Sequence, residues 1–430
     1  MEVYYLKVIK ITPAKLKGEI ALPSSKSLCL RTIIASALSK DVSTIFNTNM
    51  SNDVEVTCSA FKNLGAKIET FGNTLKVKGF SVKNMNNVCT IDCSDSITSL
   101  RLLIPISLLK CKEIIFKSNG AFLKKDIEPY FEMFGDCGIE CNYNENNCEI
   151  KLKGQLKPGH YKIRGNVNSQ FISGLLYALP LLNGDSVVEI TDELESMGYI
   201  DLTIDVLNSF GIKIKREDER RFFVRGNQEY KSTEYVIEGD ASNGAFYMCG
   251  GLLGEEVKCI LLNPDSMQPD IKIIDIIKDM GGKIKIKDSI KTFQSDLVGI
   301  TIDVSNCIDL VPAIAILGAF AEGTTMLTNA SRLRNSNFDR LKALATELSK
   351  LGADVYEGDD YLKIVGKPYL DGGEVDSWGD YRIAMSFTMA SIRCRNELII
   401  NHAESVNHSY PHFFKDFQKL GGKIVEKSVD

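Results

Sequence analysis

The sequence predicts a mixed α/β (α+β) protein built from six copies of one structural repeat. Two series of residues lead to this prediction. The first is a glycine phrase that ends a helix and opens a strand, and the second is a polar segment that opens an apolar helix half a repeat away. A sixfold recurrence at a nearly constant period is stronger evidence for a repeat architecture than any single motif.

The glycine phrase places a glycine between the last apolar residue of a helix and the first residues of a strand. Its glycines lie 69 to 73 residues apart, at Gly65, Gly138, Gly211, Gly281, Gly352 and Gly421. An amphipathic stretch such as 53–62 precedes the glycine and alternating residues follow it. This order is typical of a helix that is closed by a left-handed glycine and leads into a strand.

The polar segments open six apolar helices. They lie at 24–27, 95–98, 166–169, 240–243, 305–309 and 379–380. Ser, Asp and Asn prevail in them because these residues cap the free N–H groups at a helix start. Helices such as 171–182 and 310–320 are almost wholly apolar, so we expect them inside their domains. Helix starts that share one face would form an anion site, since each carries partial positive charge.

The last repeat lacks its second strand, and the N-terminus resembles the missing one. Most repeats continue past the glycine into a hairpin, whereas the sixth ends soon after residues 423–426, and residues 5–10 resemble the strand 361–366. We therefore predict a C-terminal domain of residues 1–22 and 236–430, whose three repeats are completed by the N-terminal strand. An N-terminal domain of residues 23–235 would hold the other three repeats. The chain would cross between the domains near Leu22 and Tyr235, at a hinge.

Composition limits the possible functions. The chain has 430 residues, of which 44% are hydrophobic, which is enough for two packed domains. It shows no signal peptide and no bilayer-spanning apolar run. Twelve cysteines without paired spacing and four histidines predict reduced structural thiols, with no metal and no cofactor. The net charge of −5 argues against a nucleic-acid partner. The reduced thiols favour a cytoplasmic protein, and we also expect a monomer without a membrane partner.

The segment 22–31 is the first that indicates chemistry. A strand, a Ser-rich turn and a helix would place Lys26 at the positive end of the helix, with Arg31 about one turn further in. Both side chains could then bind an acidic ligand. A capped helix with two solvated cations explains this segment equally well when it is taken alone.

The same segment resembles the opening motif of the enolpyruvyl transferases, and within them of the EPSP synthases. The resemblance covers the whole chain, including the repeats. It implies a two-lobed enolpyruvyl transferase fold, with six βαβαββ repeats arranged as two domains of three. It also implies transfer of the enolpyruvyl (1-carboxyvinyl) group from phosphoenolpyruvate to the 5-hydroxyl of shikimate 3-phosphate, with release of phosphate, in aromatic amino-acid biosynthesis.

The resemblance implies a role for each matching residue. The residues matched to shikimate 3-phosphate are Lys26, Ser27, Arg31, Asn168, Ser169, Gln170, Ser196, Tyr199 and Asp309. Those matched to phosphoenolpyruvate are Lys26, Lys125, Arg340, Arg382 and His408. Lys26 and Asp309 match the catalytic pair, and Asp309 matches the acceptor of the 5-hydroxyl proton. Taken singly, Ser169, Ser196 and Asp309 are more often ordinary helix caps.

Several positions depart from the family pattern, mostly on the phosphoenolpyruvate side. Ile97 stands where the family has a glycine close to phosphoenolpyruvate and the inhibitor glyphosate, which implies insensitivity to glyphosate. Ser336 and Asn337 replace a phosphate-binding lysine and a glutamate credited with proton transfer. The remaining departures are Lys125 for arginine, His408 for lysine, Tyr381 for histidine and Asp126 for proline.

These departures leave three functional hypotheses. The first is a working EPSP synthase. The second is a divergent carboxyvinyl transferase that acts on another cyclic alcohol, or a catalytically weakened paralogue. The third is a non-catalytic anion-binding protein. A UDP-N-acetylglucosamine enolpyruvyl transferase is disfavoured because residues 119–125 contain no cysteine, and an RNA 3′-phosphate cyclase is disfavoured by the acidity of the chain.

Overall fold

The computed structural model describes residues 7–82, 86–118, 124–192, 197–335 and 338–428. The strands in chain order are β1 (Lys7–Thr12), β2 (Lys17–Ala21), β3 (Val42–Phe46), β4 (Lys67–Phe71), β5 (Thr74–Lys78), β6 (Asn86–Asp92), β7 (Cys111–Lys117), β8 (Glu140–Asn144), β9 (Glu149–Lys153), β10 (His160–Ile163), β11 (Ser186–Ile190), β12 (Ile214–Arg216), β13 (Arg221–Val224), β14 (Glu234–Val236), β15 (Glu256–Ile260), β16 (Lys283–Ile286), β17 (Ile290–Phe293), β18 (Thr301–Asp303), β19 (Thr324–Thr328), β20 (Asp354–Glu357), β21 (Tyr361–Val365), β22 (Gly373–Asp376), β23 (Leu398–Asn401) and β24 (Lys423–Ser428). The α-helices are α1 (Lys26–Leu38), α2 (Asn52–Leu64), α3 (Ile97–Ser107), α4 (Glu128–Gly135), α5 (Gln170–Ala178), α6 (Met197–Ser209), α7 (Ala241–Leu253), α8 (Ile273–Asp279), α9 (Val311–Ala319), α10 (Arg340–Lys350), α11 (Tyr381–Ala390) and α12 (Phe413–Lys419).

The six predicted glycine stops are confirmed. All six glycines have positive φ, between 71° and 107°. Each follows the end of an even-numbered helix from α2 to α12, and a strand begins two or three residues later. Gly65, for example, closes α2 by donating its N–H to the carbonyl of Lys62 and then leads into β4. A side chain at such a position would clash with the backbone, which explains why glycine recurs there.

Each of the six sheets has four strands, joined by one parallel and two antiparallel pairings. Three sheets come from continuous stretches of chain, with strand orders β6-β7-β9-β8, β10-β11-β13-β12 and β18-β19-β21-β20. In these, the parallel pair is joined by a buried helix, namely α3, α5 or α9. A second helix then leads into the hairpin, which gives the βαβαββ order.

The other three sheets each take one strand from a distant part of the sequence. β1 lies between β23 and β24, and its pairing with β24 runs from Lys7 opposite Ser428 to Thr12 opposite Lys423. The N-terminal strand therefore completes the last repeat, as predicted, although residues 5 and 6 lie outside the described residues. β2 pairs in parallel with β15, and β14 pairs in parallel with β3.

The chain divides into two compact units, each with its own hydrophobic core. The N-terminal unit is Ser24–Ile237, and the C-terminal unit is Met1–Pro23 with Glu238–Asp430. These limits lie one residue after the predicted boundary at 22 and two residues after the one at 235, because β14 extends to Val236 and pairs with β3. The predicted apolar helices are buried, and every residue of α9 is inaccessible to solvent.

The expectation that all cysteines are free thiols is wrong for one pair. Cys89 of β6 and Cys111 of β7 form a disulfide, with Cα atoms 6.1 Å apart, because parallel pairing brings these strands together. The other ten cysteines are free. Burial raises the pKa of Cys29 to about 12 and that of Cys58 to about 11, so these thiols remain protonated.

The described part of the chain contains neither a candidate membrane-spanning helix nor a candidate metal-binding group. None of its helices is both long and apolar enough to cross a membrane. No group of three or more His, Cys, Asp or Glu side chains there is arranged to hold a metal ion.

Truncation of a buried side chain in the N-terminal strand β1 should destabilise the C-terminal unit. Ile11 is fully buried and lies opposite Ile424 and Leu398, so Ile11→Ala should lower the free energy of unfolding by about 2–5 kcal/mol. The matched control is Ile286→Ala on β16, whose side chain is 36% exposed and should lose about 1 kcal/mol or less. Urea unfolding of both variants measures the difference. Equal losses would contradict the assignment of β1 to the core of this unit.

Candidate functional site

The N-terminal unit brings the first turns of α1, α3 and α5 together. Asp53 of α2 links two of them, because its Oδ2 lies 3.0 Å from Lys26 Nζ and its Oδ1 accepts a hydrogen bond from Ser96 Oγ. Gln170, the first residue of α5, donates from Nε2 to Thr98 Oγ1 of α3 at 3.1 Å. Three helix starts therefore meet in one unit, and their free N–H groups favour an anion there.

Seven predicted site residues belong to this region, which we call the Arg31 cluster. Its members are Lys26, Ser27, Arg31, Asn168, Ser169, Gln170 and Tyr199. Two other predicted residues of this unit cannot be placed. Ser196 lies outside the described residues, and so does the side chain of Lys125, whose backbone forms part of the 3-10 turn Lys124–Asp126.

Arg31 is a buried cation, with 3% of its surface exposed. Its Nε donates to Thr203 Oγ1 at 2.9 Å, and its terminal nitrogens donate to the carbonyls of Ser27 at 3.0 Å and Tyr199 at 3.3 Å. The guanidinium carbon also lies 5.7 Å from the centre of the Tyr199 ring. No carboxylate of the described residues lies within ion-pair distance of this guanidinium.

Burial lowers the pKa of Arg31, but a guanidinium stays protonated at neutral pH. A buried cation without an acidic partner is unfavourable in an isolated protein, because the lost hydration is not replaced by an opposite charge. An anionic ligand would supply that charge. The interpretation of Arg31 as a solvated surface cation is therefore wrong.

The start of α5 orients its polar residues through local hydrogen bonds. Asn168 Oδ1 accepts the backbone N–H of Gln170 at 3.0 Å, so this side chain acts as the helix cap. Ser169 is 4% exposed and makes no capping hydrogen bond with its side chain. The alternative role of Ser169 as an ordinary helix cap is therefore not observed.

The C-terminal unit gathers a second set of charges, the Asp309 cluster, which consists of Asp270, Asp309, Arg340, Asp380 and Arg382. Asp309 lies in the 3-10 turn Ile308–Leu310 that leads into α9. Its Oδ2 is 2.9 Å from Arg382 and its Oδ1 is 3.8 Å from Arg340, the arginines at the starts of α11 and α10. Arg340 in turn donates to Asp380 Oδ2 from two nitrogens, at 2.6 and 3.0 Å.

Asp309 therefore forms ion pairs with two guanidinium groups. The side chain of Asp309 is 23% exposed, whereas those of Arg340 and Arg382 are 12% and 14% exposed. The structure thus brings together three of the predicted residues of this unit. It does not link His408 to them by any hydrogen bond or ion pair between described residues, and this histidine is exposed at the end of the turn Ala403–His408.

Asp270 was not found from the sequence. It lies in the turn Pro269–Lys272, is 2% exposed, and accepts a hydrogen bond from Ser242 Oγ in the first turn of α7. Burial and the charge of Asp309 raise the pKa of Asp270 to about 7, while Ser242 and Arg382 oppose the shift. Asp270 therefore interacts electrostatically with Asp309, the predicted proton acceptor, and its own charge depends on pH near neutrality.

Asp53 and Thr203 were also missed by sequence analysis. Both lie inside helices, where an acid near the helix start or a threonine is common, so no sequence signal marks them.

Ile97 is the first residue of α3 and packs, partly buried, against the core of the N-terminal unit. Ser336 and Asn337 lie outside the described residues.

Comparisons with known proteins agree over nearly the whole chain. Residues 11–417 match the family described as EPSP synthase (3-phosphoshikimate 1-carboxyvinyltransferase). The chain is 48% identical to the 3-phosphoshikimate 1-carboxyvinyltransferase of Clostridium novyi, with 98% of this chain and 99% of that protein covered. It is 45% identical to the protein of the same description from Clostridium acetobutylicum, with 99% and 100% covered.

Solved structures give the same result. The EPSP synthase of Acinetobacter baumannii matches with a TM-score of 0.84 at 25% identity, and the match covers 98% of this chain and 100% of that one. The enolpyruvyl transferase NikO of Streptomyces tendae matches with a TM-score of 0.79 at 17% identity, covering 99% and 100%. The second likeness concerns the fold alone.

Asp270 should make stability depend on pH. Because its pKa is raised on folding from about 3.8, the folded state binds an extra proton between pH 4 and 7, and this group lowers the free energy of unfolding as pH rises through that window. Asp270→Asn removes the titration. The stability of the variant relative to the wild type should thus increase from pH 5 to pH 8, by at most about 3 kcal/mol.

Urea unfolding at the two pH values measures this change. The matched control is Asp275→Asn, which removes a surface carboxylate on α8 that is 73% exposed and should leave the pH dependence nearly as it is. A stability difference for Asp270→Asn that is the same at both pH values would contradict the raised pKa.

Proposed function

The chain belongs to the EPSP synthase (3-phosphoshikimate 1-carboxyvinyltransferase) family, and from this we propose that it is a transferase of the shikimate pathway. It moves the 1-carboxyvinyl group of phosphoenolpyruvate to the 5-hydroxyl of shikimate 3-phosphate and releases phosphate. The match covers 99% and 100% of two relatives that are 48% and 45% identical to this chain.

The observation that carries the proposal beyond family membership is the buried guanidinium of Arg31, which forms no ion pair with any carboxylate in the described part of the chain. Shikimate 3-phosphate offers two anionic groups, a carboxylate and a phosphate. We assign the carboxylate to Arg31 and Ser27, and the phosphate to Asn168, Ser169 and Ser196. Gln170 and Tyr199 contact the ring in this proposal. The buried cation supports the assignment because an anion is the group that offsets its desolvation.

The Asp309 cluster supports the chemical step. In the proposed reaction Asp309 accepts the proton of the 5-hydroxyl while that oxygen attacks C2 of phosphoenolpyruvate, and C3 gains a proton, so that a tetrahedral adduct forms. Loss of phosphate from C2 and of a proton from C3 then restores the vinyl double bond. Lys26 assists by balancing the negative charge that develops.

The cations assigned to phosphoenolpyruvate are Lys26, Lys125, Arg340, Arg382 and His408. Arg340 and Arg382 support this assignment because each is largely buried and already paired with a carboxylate, which holds its guanidinium in place. Asn337 cannot transfer a proton, so the proposal leaves the protonation of C3 to another group. We also propose that the protein acts as a monomer in the cytoplasm, and its ten free thiols support the reducing compartment.

A second function is favoured by two departures from the family pattern. Asn337 replaces the residue that the resemblance credits with proton transfer, and His408 replaces a permanent cation. A divergent carboxyvinyl transferase for another cyclic alcohol, or a weakened paralogue, would tolerate such losses. The third possibility, an anion-binding protein, would bind ligands without turnover.

Phosphate release separates these functions. Purified protein is incubated with phosphoenolpyruvate, with shikimate 3-phosphate, and with both. Steady release that requires both substrates supports the proposal. Binding of shikimate 3-phosphate without release would identify an anion-binding protein, and release with a different cyclic alcohol alone would select the divergent transferase.

Removal of the buried cation should weaken acceptor binding specifically. Arg31→Gln loses a charge-assisted contact of about 1.5–3 kcal/mol, so the Kd for shikimate 3-phosphate should rise about 10- to 150-fold. The matched control is Arg393→Gln, because Arg393 also donates to backbone carbonyls and burial also lowers its pKa. Calorimetry should show unchanged acceptor affinity for the control, and equal weakening of both variants would refute a direct role for Arg31.

Glyphosate should inhibit this protein poorly. Ile97 presents a branched side chain at the start of α3, where the resemblance places a glycine, so the inhibitor and phosphoenolpyruvate would meet a narrower space. Ile97→Ala should lower the inhibitory concentration, whereas Ile204→Ala, at another half-buried isoleucine on α6, should not. Competitive inhibition of the unmodified protein at micromolar glyphosate would show that Ile97 does not line the donor site.

A further inference from the structure

The buried guanidinium of Arg101, on α3, connects two parts of the N-terminal unit that carry different substrate groups. Its Nε donates to the backbone carbonyl of Asp126 at 2.8 Å, and one terminal nitrogen lies 3.4 Å from Asp126 Oδ1. The other terminal nitrogen donates to Gln170 Oε1 at 3.3 Å. The side chains of Arg101 and Asp126 are 16% and 12% exposed, so this ion pair is largely shielded from water.

Gln170 is oriented by two polar neighbours of opposite character. Arg101 offers only donors, so the amide oxygen of Gln170 must face it. The amide nitrogen then faces Thr98 Oγ1 at 3.1 Å. A reversed amide would direct its N–H groups at the guanidinium, and therefore the position of Arg101 determines which way Gln170 presents its amide.

Asp126 holds Arg101 through both its backbone and its side chain. Burial lowers the pKa of Arg101 and the carboxylate of Asp126 opposes the shift, so the acid offsets the desolvation of the cation. The same two contacts tie the 3-10 turn Lys124–Asp126 to α3. Lys125 belongs to this turn, directly before Asp126.

The phenol of Tyr130 supports the arrangement from α4. Its hydroxyl donates to the carbonyls of Arg101 and Phe171, each at 2.9 Å, and the Arg101 guanidinium carbon lies 5.1 Å from the Phe171 ring. The backbones of α3 and α5 are thereby held beside the ion pair, so that movement of Arg101 is transmitted to Gln170 rather than absorbed by the helices.

We propose that Asp126 is a positioning residue for both substrates: through Arg101 it orients the Gln170 amide toward shikimate 3-phosphate, and through its side-chain and backbone contacts with Arg101 it holds the turn that carries Lys125 for phosphoenolpyruvate. The inference rests on the proposed function. Asp126 contacts neither substrate in this proposal, and its effect on acceptor binding passes entirely through Arg101 and Gln170.

A double-mutant cycle tests the path through Gln170. Asp126→Asn keeps the size of the side chain and removes its charge, and it should raise the Kd for shikimate 3-phosphate about tenfold, since small displacements of a positioned group have large effects. In a Gln170→Ala background the same substitution should change this Kd less than about twofold, because the group that it positions is absent. Equal effects in the two backgrounds would overturn the proposal.

Two further variants separate positioning from general stability. Asp126→Glu restores the carboxylate and should return the Kd to within about threefold of the wild-type value. Glu132→Gln is the matched control, because it breaks an exposed ion pair with Arg164 in the same unit and should change neither KM. The KM for phosphoenolpyruvate should rise in Asp126→Asn and recover in Asp126→Glu.

The remaining outcomes are also decisive. If Asp126→Asn and Asp126→Glu both fail to fold, Asp126 is required for folding and the positioning role is refuted. If the wild-type protein turns over both substrates and Asp126→Asn behaves like it, the positioning role alone fails. If the wild type neither binds shikimate 3-phosphate nor releases phosphate, the proposed function fails and this inference fails with it.

Discussion

Burial of apolar helices between small sheets is the constraint on which the rest of this structure depends. Every repeat inserts one such helix into the core of its unit, and a buried helix leaves its first N–H groups without partners inside the helix. Those groups require polar residues at each helix start. Because the helix starts within a unit lie together, their capping residues and neighbours form a polar cluster. No additional structural element is needed to form this cluster.

The two clusters that result differ in their balance of charge. In the Arg31 cluster Lys26 is paired with Asp53, whereas among the described residues the buried guanidinium of Arg31 donates to a hydroxyl and two carbonyls. In the Asp309 cluster each arginine faces a carboxylate. A buried cation suits the binding of an anion, whereas a carboxylate held in place by two arginines is positioned for the proposed acceptance of a proton.

The departures from the family pattern have different structural settings. Asp126 forms an ion pair with Arg101, and its backbone contact with Arg101 ties the turn Lys124–Asp126 to α3. Ile97 is partly buried and packs against the core of the N-terminal unit. His408 is exposed and has no described polar contact with the Asp309 cluster. A substitution that has acquired its own partners is an adaptation of the local structure, and a substitution without them is the better candidate for a simple loss.

The sequence by itself determined the repeat, the six glycine stops, the polar helix starts and the completion of the last sheet by the N-terminal strand. These features depend on local backbone preferences and on hydrophobic period, both of which act over a few residues. Only the tertiary structure decided that Arg31 is buried, that Asp270 interacts with Asp309, and that Cys89 and Cys111 form a disulfide. Their partners are distant in the chain, and burial, hydrogen bonding and charge at such positions arise only when separate helices and strands pack against one another.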